Sequence, residues 1–136
     1  MNIRNIIDRR VPPAKAWKKS DHELQVAVIN RSLALAAAHP DILLLHAIPN
    51  GDFRGWGVGT KLKAEGVIPG VPDLCMPVAR GGFHGFYLEL KKAGGKVRDE
   101  QWEFMEALHA QNYFVRVTNH LQTALEIIEN YLLEMP

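Results

Sequence analysis

The sequence predicts an α/β fold in which a small mixed β-sheet is flanked by helices. Three patterns carry that expectation. Residues 85–91, 97–111 and 113–117 read as strand, helix and strand, a unit that closes with a right-handed crossover and parallel strands. Residues 73–78 and 85–91 read as a hairpin turning at Arg80-Gly81-Gly82, which adds an antiparallel pair. Helical patterns from Ser20 and over 120–133 supply cover for the sheet.

Taken in order, residues 1–19 read as a basic N-terminal arm. They hold six cations against one acid, Asp8, and Pro12-Pro13 favours an extended or irregular path. Residues 20–136 form a single domain. Ser20 with Glu23 three residues on is a capping-box pattern, and LQVAVINRSLALAAAH continues a helix until Pro40-Asp41 ends it. ILLLH, 42–46, suits a short buried strand, and the glycine-rich 49–60 a loop, with a short helix near 60–65. PGVPD, 69–73, is a rigid turn leading into a strand. In GFYLELK, Phe86, Leu88 and Leu90 alternate against Tyr87, Glu89 and Lys91, the mark of a strand with two unlike faces. A glycine break at 94–95 precedes the helix of 97–111, YFVRV is the next strand, and Thr118 or Asn119 is placed to cap the last helix.

The 136 residues suit one core. With 47% hydrophobic and 23% charged residues, disordered and fibrous classes are excluded. No apolar run approaches the ~20 residues that cross a bilayer, and MNIRNIIDRR lacks the unbroken apolar stretch of a secretory signal, so a cytoplasmic protein without a membrane partner is expected. The one cysteine, Cys75, excludes an internal disulfide and cysteine-rich zinc modules. Net charge is +1 but uneven: residues 99–136 carry seven acids and one base, Arg116. A polyanion would meet the N-terminal and central surfaces, although such clusters are also ordinary solvated faces.

The chemistry-bearing set is Asp73, at the mouth of one hairpin strand, with Glu89 and Lys91 on the other. Residues 89 and 91 share a face. Two carboxylates converging on one point make a hard oxygen site suited to Mg²⁺ or Mn²⁺, and a nearby lysine can orient or deprotonate a water. Singly, Asp73 is a turn residue after Pro72 and Glu89–Lys91 a surface pair worth little. The six histidines show no zinc spacing, and no Walker loop, Rossmann fingerprint or GxSxG is present, so no nucleotide cofactor is expected.

VPD at 71–73 followed by ELK at 89–91 resembles the PD-(D/E)xK nuclease pattern. Asn50-Gly51, GVIPGVPDL at 66–74, FYLELK at 86–91 and Gly95-Lys96 followed by Gln101 resemble the VRR-NUC (virus-type replication-repair nuclease) family, in its stand-alone phage or bacterial form. The resemblance implies a restriction-endonuclease-like core and the following roles. Asp73 and Glu89 bind the metal, the Leu90 carbonyl adds a ligand, and Lys91 acts on the attacking water. Glu23 completes the metal site from its helix, although its pairing with Ser20 explains it equally as a cap. Gln101 supports the site or touches the scissile phosphate, or else caps its own helix. Arg98 stands where the family commonly has serine or threonine.

The family likeness implies Mg²⁺- or Mn²⁺-dependent hydrolysis of DNA phosphodiesters, leaving a 5′-phosphate and a 3′-hydroxyl. It implies a homodimer resolving four-way (Holliday) junctions, in a bacterial or phage-infected cell. A flap or nicking nuclease with the same core, and a branched-DNA-binding module that does not cleave, are the alternatives. Lys61, Lys63, Lys92, Lys96 and Arg98 are candidate phosphate contacts, Asn50 a candidate loop residue near the metal, and Phe53 and Trp56 candidate stacking residues. His22 is an outside candidate because it adjoins Glu23.

Overall fold

A computed structural model of the chain describes residues 2–49 and 58–134. Its elements run α1 (Ile3–Ile7), α2 (Asp21–Leu33), a 3₁₀ helix (Pro40–Leu44), β1 (His46–Ala47), α3 (Val58–Ala64), β2 (Leu74–Met76), β3 (Phe86–Leu90), α4 (Asp99–Ala110), β4 (Phe114–Thr118) and α5 (Leu121–Glu134). The strands lie in the order β1-β2-β3-β4. β1, β2 and β3 pair antiparallel, and β3 and β4 pair parallel, with Glu89 opposite Val117. The mixed sheet and the β3-α4-β4 crossover are those the sequence predicts.

Alternation along the strands sorts the core into two layers. Phe86, Leu88 and Leu90 join Leu74 and Met76 on one face, under Leu24 and Val28 of α2 and Ala124, Ile128 and Tyr131 of α5. The inward residues of α2 and α5 recur at helical spacing, so each helix lays one stripe on the sheet. Phe86, Phe114 and Tyr131 form the aromatic centre of this layer, with ring centroids 5.0–5.5 Å apart. The Tyr131 hydroxyl donates to the Val78 carbonyl at 2.5 Å, so this buried polar atom is satisfied. On the other face Val115 and Val117 meet Ile7 of α1 and Trp102 and Met105 of α4.

Several local expectations are corrected. The first helix stops at Leu33 instead of running to His39. Leu35 and Ala36 bond back only three residues, to Ser32 and Leu33, and this tightening turns the chain. The apolar run at 42–46 is mainly a 3₁₀ helix, with strand only at His46–Ala47. Short apolar runs do not distinguish strand from helix by periodicity. Here Ile42 and Leu45, three apart, turn to the core, while Leu43 is left 65% exposed. The cap of α5 is His120, whose Nδ1 accepts from the Thr123 N–H at 3.3 Å; Thr118 and Asn119 are bonded elsewhere.

The N-terminal segment packs against the domain instead of projecting from it. It contains α1, unsuspected in the sequence, whose Ile7 is fully buried. Asp8 bridges Val117 in parallel, Thr118 Oγ1 donates to the Arg9 carbonyl, and the Asn119 side chain holds both the N–H and the carbonyl of Val11. Trp17 closes the strap. Its N–H donates to the Asn119 carbonyl and its carbonyl accepts from Ala93, each at 2.7 Å.

Candidate active site

The register of the hairpin builds the site. Leu74 pairs with Leu88 and Cys75 with Tyr87, so one step further Asp73 stands opposite Glu89. Both side chains are on the α4 face, away from the larger core layer. Asp73 is held by the backbone: its Oδ2 accepts from the Leu90 N–H at 2.9 Å, and its carbonyl accepts from Ile48 at 2.8 Å. Glu89 is 2% exposed. Its Oε2 accepts from Gln101 Nε2 at 3.3 Å.

Gln101 does both things the sequence allows. Its Oε1 accepts from the Arg98 N–H at 2.9 Å, capping α4, while its amide nitrogen reaches Glu89. Arg98 has no acceptor in its side chain, so it supplies only the backbone half of a capping box. The glutamine therefore ties the start of α4 to the acidic strand, a link that needs both ends of one amide.

The turn before Asp73 is shaped to reach this place. Gly70 has φ +96°, and a Cβ there would stand 2.6 Å from the Glu100 carbonyl. Only glycine lets the PGVPD loop lie directly on the first turn of α4. That contact brings Asp73 and Gln101 to one side of the sheet.

These residues line a cleft of ≈470 Å³. Asp73, Glu89, Leu90, Lys91 and Gln101 lie on one wall; Asp21, His22 and Gln25 of α2 stand on another, and Arg98 is also at the lining. Lys91 is buried, and its backbone N–H donates to the Thr118 carbonyl at 3.0 Å. Burial, then the hydrogen bond and negative charge of Asp73, push the Glu89 carboxyl well above the usual carboxylate range. The Lys91 charge pulls the other way and is outweighed. Two carboxylates in contact, one out of solvent, cannot both be ionised cheaply without a cation.

That donor set fits a hard divalent ion. Among the described residues no trio of His, Cys, Asp or Glu forms a ready-made cage. Mg²⁺ commonly takes one or two carboxylates and leaves its other positions to water and substrate phosphate. Asp73, Glu89 and the Leu90 carbonyl are the groups available to hold it.

Glu23 does not belong to the cleft lining. It completes the capping box: its N–H donates to Ser20 Oγ at 3.1 Å and its Oε2 accepts from the Ser20 N–H at 3.4 Å. The carboxylate that α2 does present is Asp21, two residues earlier and about 200° around the helix. Its Oδ1 accepts from the Lys92 N–H at 2.6 Å, tying α2 to the chain just beyond Lys91. The sequence pattern points to Glu23 and passes over Asp21 and Gln25, which line the cleft; their i, i+4 spacing, which puts them on one face, is the signal that singles them out.

Of the other candidates, Arg98 and His22 reach the cleft lining. Lys92 and Lys96 are exposed on the loop after β3, and Lys96 lines a separate hollow. Lys61 and Lys63 lie exposed on α3 and do not line the cleft. Asn50, Phe53 and Trp56 lie outside the described residues. Cys75 is half-buried beside Tyr87, and burial pushes its thiol pKa up, which disfavours the thiolate.

No family model matches the chain, and no curated protein matches it. Among solved structures, it is similar to a VRR_NUC domain protein at 26% identity and a TM-score of 0.68. The likeness covers 84% of this chain and 88% of the other. That likeness in fold supports membership of the VRR-NUC family and a nuclease-type domain.

Proposed function

We propose that this protein is a divalent-metal-dependent DNA endonuclease, acting as a homodimer on four-way junctions. The observation that carries the reading is the cross-strand meeting of Asp73 and Glu89, with Lys91 and Gln101 beside them in one cleft. A buried carboxylate set against a second acid is costly to maintain without a cation.

Asp73, Glu89 and the Leu90 carbonyl would hold a Mg²⁺ or Mn²⁺ ion. Bound there, such an ion offsets the negative charge that develops on the phosphate and acidifies water. The residues of the chain do the rest. The Leu90 N–H fixes the Asp73 carboxylate, and Gln101 fixes that of Glu89. Lys91, two residues past Glu89 and just beyond β3, would orient the attacking water as the cation it is beside Glu89, and would take its proton only from the neutral amine form. Asp21 and His22 border the cleft from α2, and Arg98 meets the phosphate from the start of α4. In-line attack leaves a 5′-phosphate and a 3′-hydroxyl. Lys61, Lys63 and Lys92 give salt-dependent, sequence-independent contacts.

The dimer follows from need: resolving a junction takes two cuts, and one domain carries one site, so two-fold symmetry supplies the pair. The test is cleavage of four-way, flap, single-stranded and linear DNA of equal length, with and without Mg²⁺ or Mn²⁺, beside a solution mass measurement. Asp73→Asn serves as the cleavage-blocked control. Preferred two-sided cutting of the four-way substrate by a dimer supports the proposal. Equal cutting of flaps, or binding without cutting under either ion, overturns the substrate or the activity respectively.

A further inference from the structure

The basic N-terminal segment, once folded, builds a second charged surface on the far side of the loop that walls the cleft. Residues 91–98 run between two hollows. Lys91 and Arg98 line the cleft; Gly94, Gly95 and Lys96 line a separate hollow of ≈590 Å³, whose other wall is Asn5, Asp8 and Arg10. The strap from Trp17 to Ala93 and the bonds of Asn119 to Val11 hold that wall in place.

The charges in this region do not cancel. Asp8 is engaged by Arg10, with two contacts of 2.9 and 2.7 Å. Arg9 is exposed, and among the described residues its guanidinium hydrogen-bonds the carbonyls of Asn5 and Asp8. Its backbone is bonded to Val117 and Thr118, which places it beside Arg116. Arg116 lies half-buried over the Phe114 ring at 4.0 Å, with no carboxylate partner among the described residues. Burial and the charge of Arg9 lower its pKa to about 10. Lys96 makes no ion pair among the described residues. Arg10 and Lys96 thus border one hollow with Asp8 as its acid, and Arg9 and Arg116 stand together on the adjoining stretch of the same N-terminal segment and β4. Like charges held together in this way call for an anionic partner.

We infer that Arg9, Arg10, Lys96 and Arg116 form a second phosphate-contact surface for DNA, continuing the strand path from the cleft over the 92–96 loop. The inference rests on the reading of the cleft as a DNA-cleaving site, because that reading identifies the polyanion. The contacts are to backbone phosphates, so they are independent of sequence. Their signature is the release of counterions.

The experiment measures the affinity of the full chain for branched DNA over a range of salt. It compares Lys96→Ala and Arg9→Gln, singly and together, with the unaltered protein, in Ca²⁺ so that binding is read apart from cleavage. Both side chains are exposed, and matched thermal melts establish that each variant is folded. Each lost contact lowers the slope of log Kd on log salt by about 0.9, so the double variant loses nearly 2. An unchanged slope in variants of a protein that cleaves DNA overturns the second surface and leaves the nuclease reading intact. A reduced slope in a protein that cuts no DNA under Mg²⁺ or Mn²⁺ keeps the surface and overturns the nuclease. A slope reduced for duplex RNA but unchanged for DNA overturns the assignment of the partner.

Discussion

On the proposed reading, Glu89 is the residue where function opposes stability. Its folded pKa is raised, so between the ordinary value of 4.5 and that raised value the folded chain binds more protons than the unfolded one. Stability therefore falls as pH rises through this window. Glu89→Gln removes the buried charge and keeps the shape. It is expected to raise the melting temperature of the metal-free protein at neutral pH while lowering cleavage by ~10³-fold or more. Scanning calorimetry beside a cleavage assay checks both halves, and a drop in melting temperature would show that the charge is compensated. Gln101→Ala is expected to cost ~10–100-fold in ion affinity or rate, because it frees the Glu89 carboxylate without removing it. Calorimetric titration with Mn²⁺ reads that loss. The pairing of Asp73 with Glu89 was legible in the sequence, since hairpin register is arithmetic once the turn is placed. The double bonding of Gln101 was not, because it depends on where α4 begins.

At the scale of elements, α2 separates capping from chemistry. Ser20→Ala removes the side-chain half of its cap and is expected to cost ~1 kcal/mol, with cleavage by the folded protein unaltered. Asp21→Asn should do the reverse, weakening cleavage at little cost in stability, because Asp21 faces the cleft. Urea denaturation and initial rates for the two variants distinguish the roles; equal loss of rate in both would return Glu23 and its cap to the site. The PGVPD turn is the second decisive element. Gly70→Ala combines a positive φ with a Cβ 2.6 Å from the Glu100 carbonyl. We expect destabilisation by ~1–3 kcal/mol and a larger loss of cleavage than of stability alone, since the loop that carries Asp73 must lift from α4. Denaturation midpoints beside rates at a temperature where the variant is folded test this.

Over the whole molecule, the N-terminal strap couples the start of the chain to β4 and to the loop after Lys91. Asp8 lies at its centre. Burial alone would raise its pKa, but the hydrogen bonds and charge of Arg10, with the charge of Arg9, together hold it below the ordinary 3.8. A depressed acid stabilises the fold above its unfolded pKa, and that contribution is lost as pH falls through the folded value. The strap is therefore expected to loosen selectively in acid, below pH 3.8, ahead of the strands it covers. Hydrogen exchange at Arg9 and Val11 as pH is lowered reads the effect, and Asp8→Asn should abolish its pH dependence. The segment escaped sequence reading as structure because α1 spans five residues and buries a single one, Ile7, too little pattern for any periodicity to register.

The alternation in GFYLELK, the turn residues around it and the crossover that follows determined the central sheet and brought Asp73, Glu89 and Lys91 to one end of it. These are short-range patterns, and backbone geometry alone converts them into position. The α2 residues that border the site, the apolar run that winds into a 3₁₀ helix and the meeting of Arg10 with Lys96 across one hollow were decided only by the tertiary structure. Each depends on which element packs against which, and that is settled by burial across the whole core, not by any neighbour in the chain.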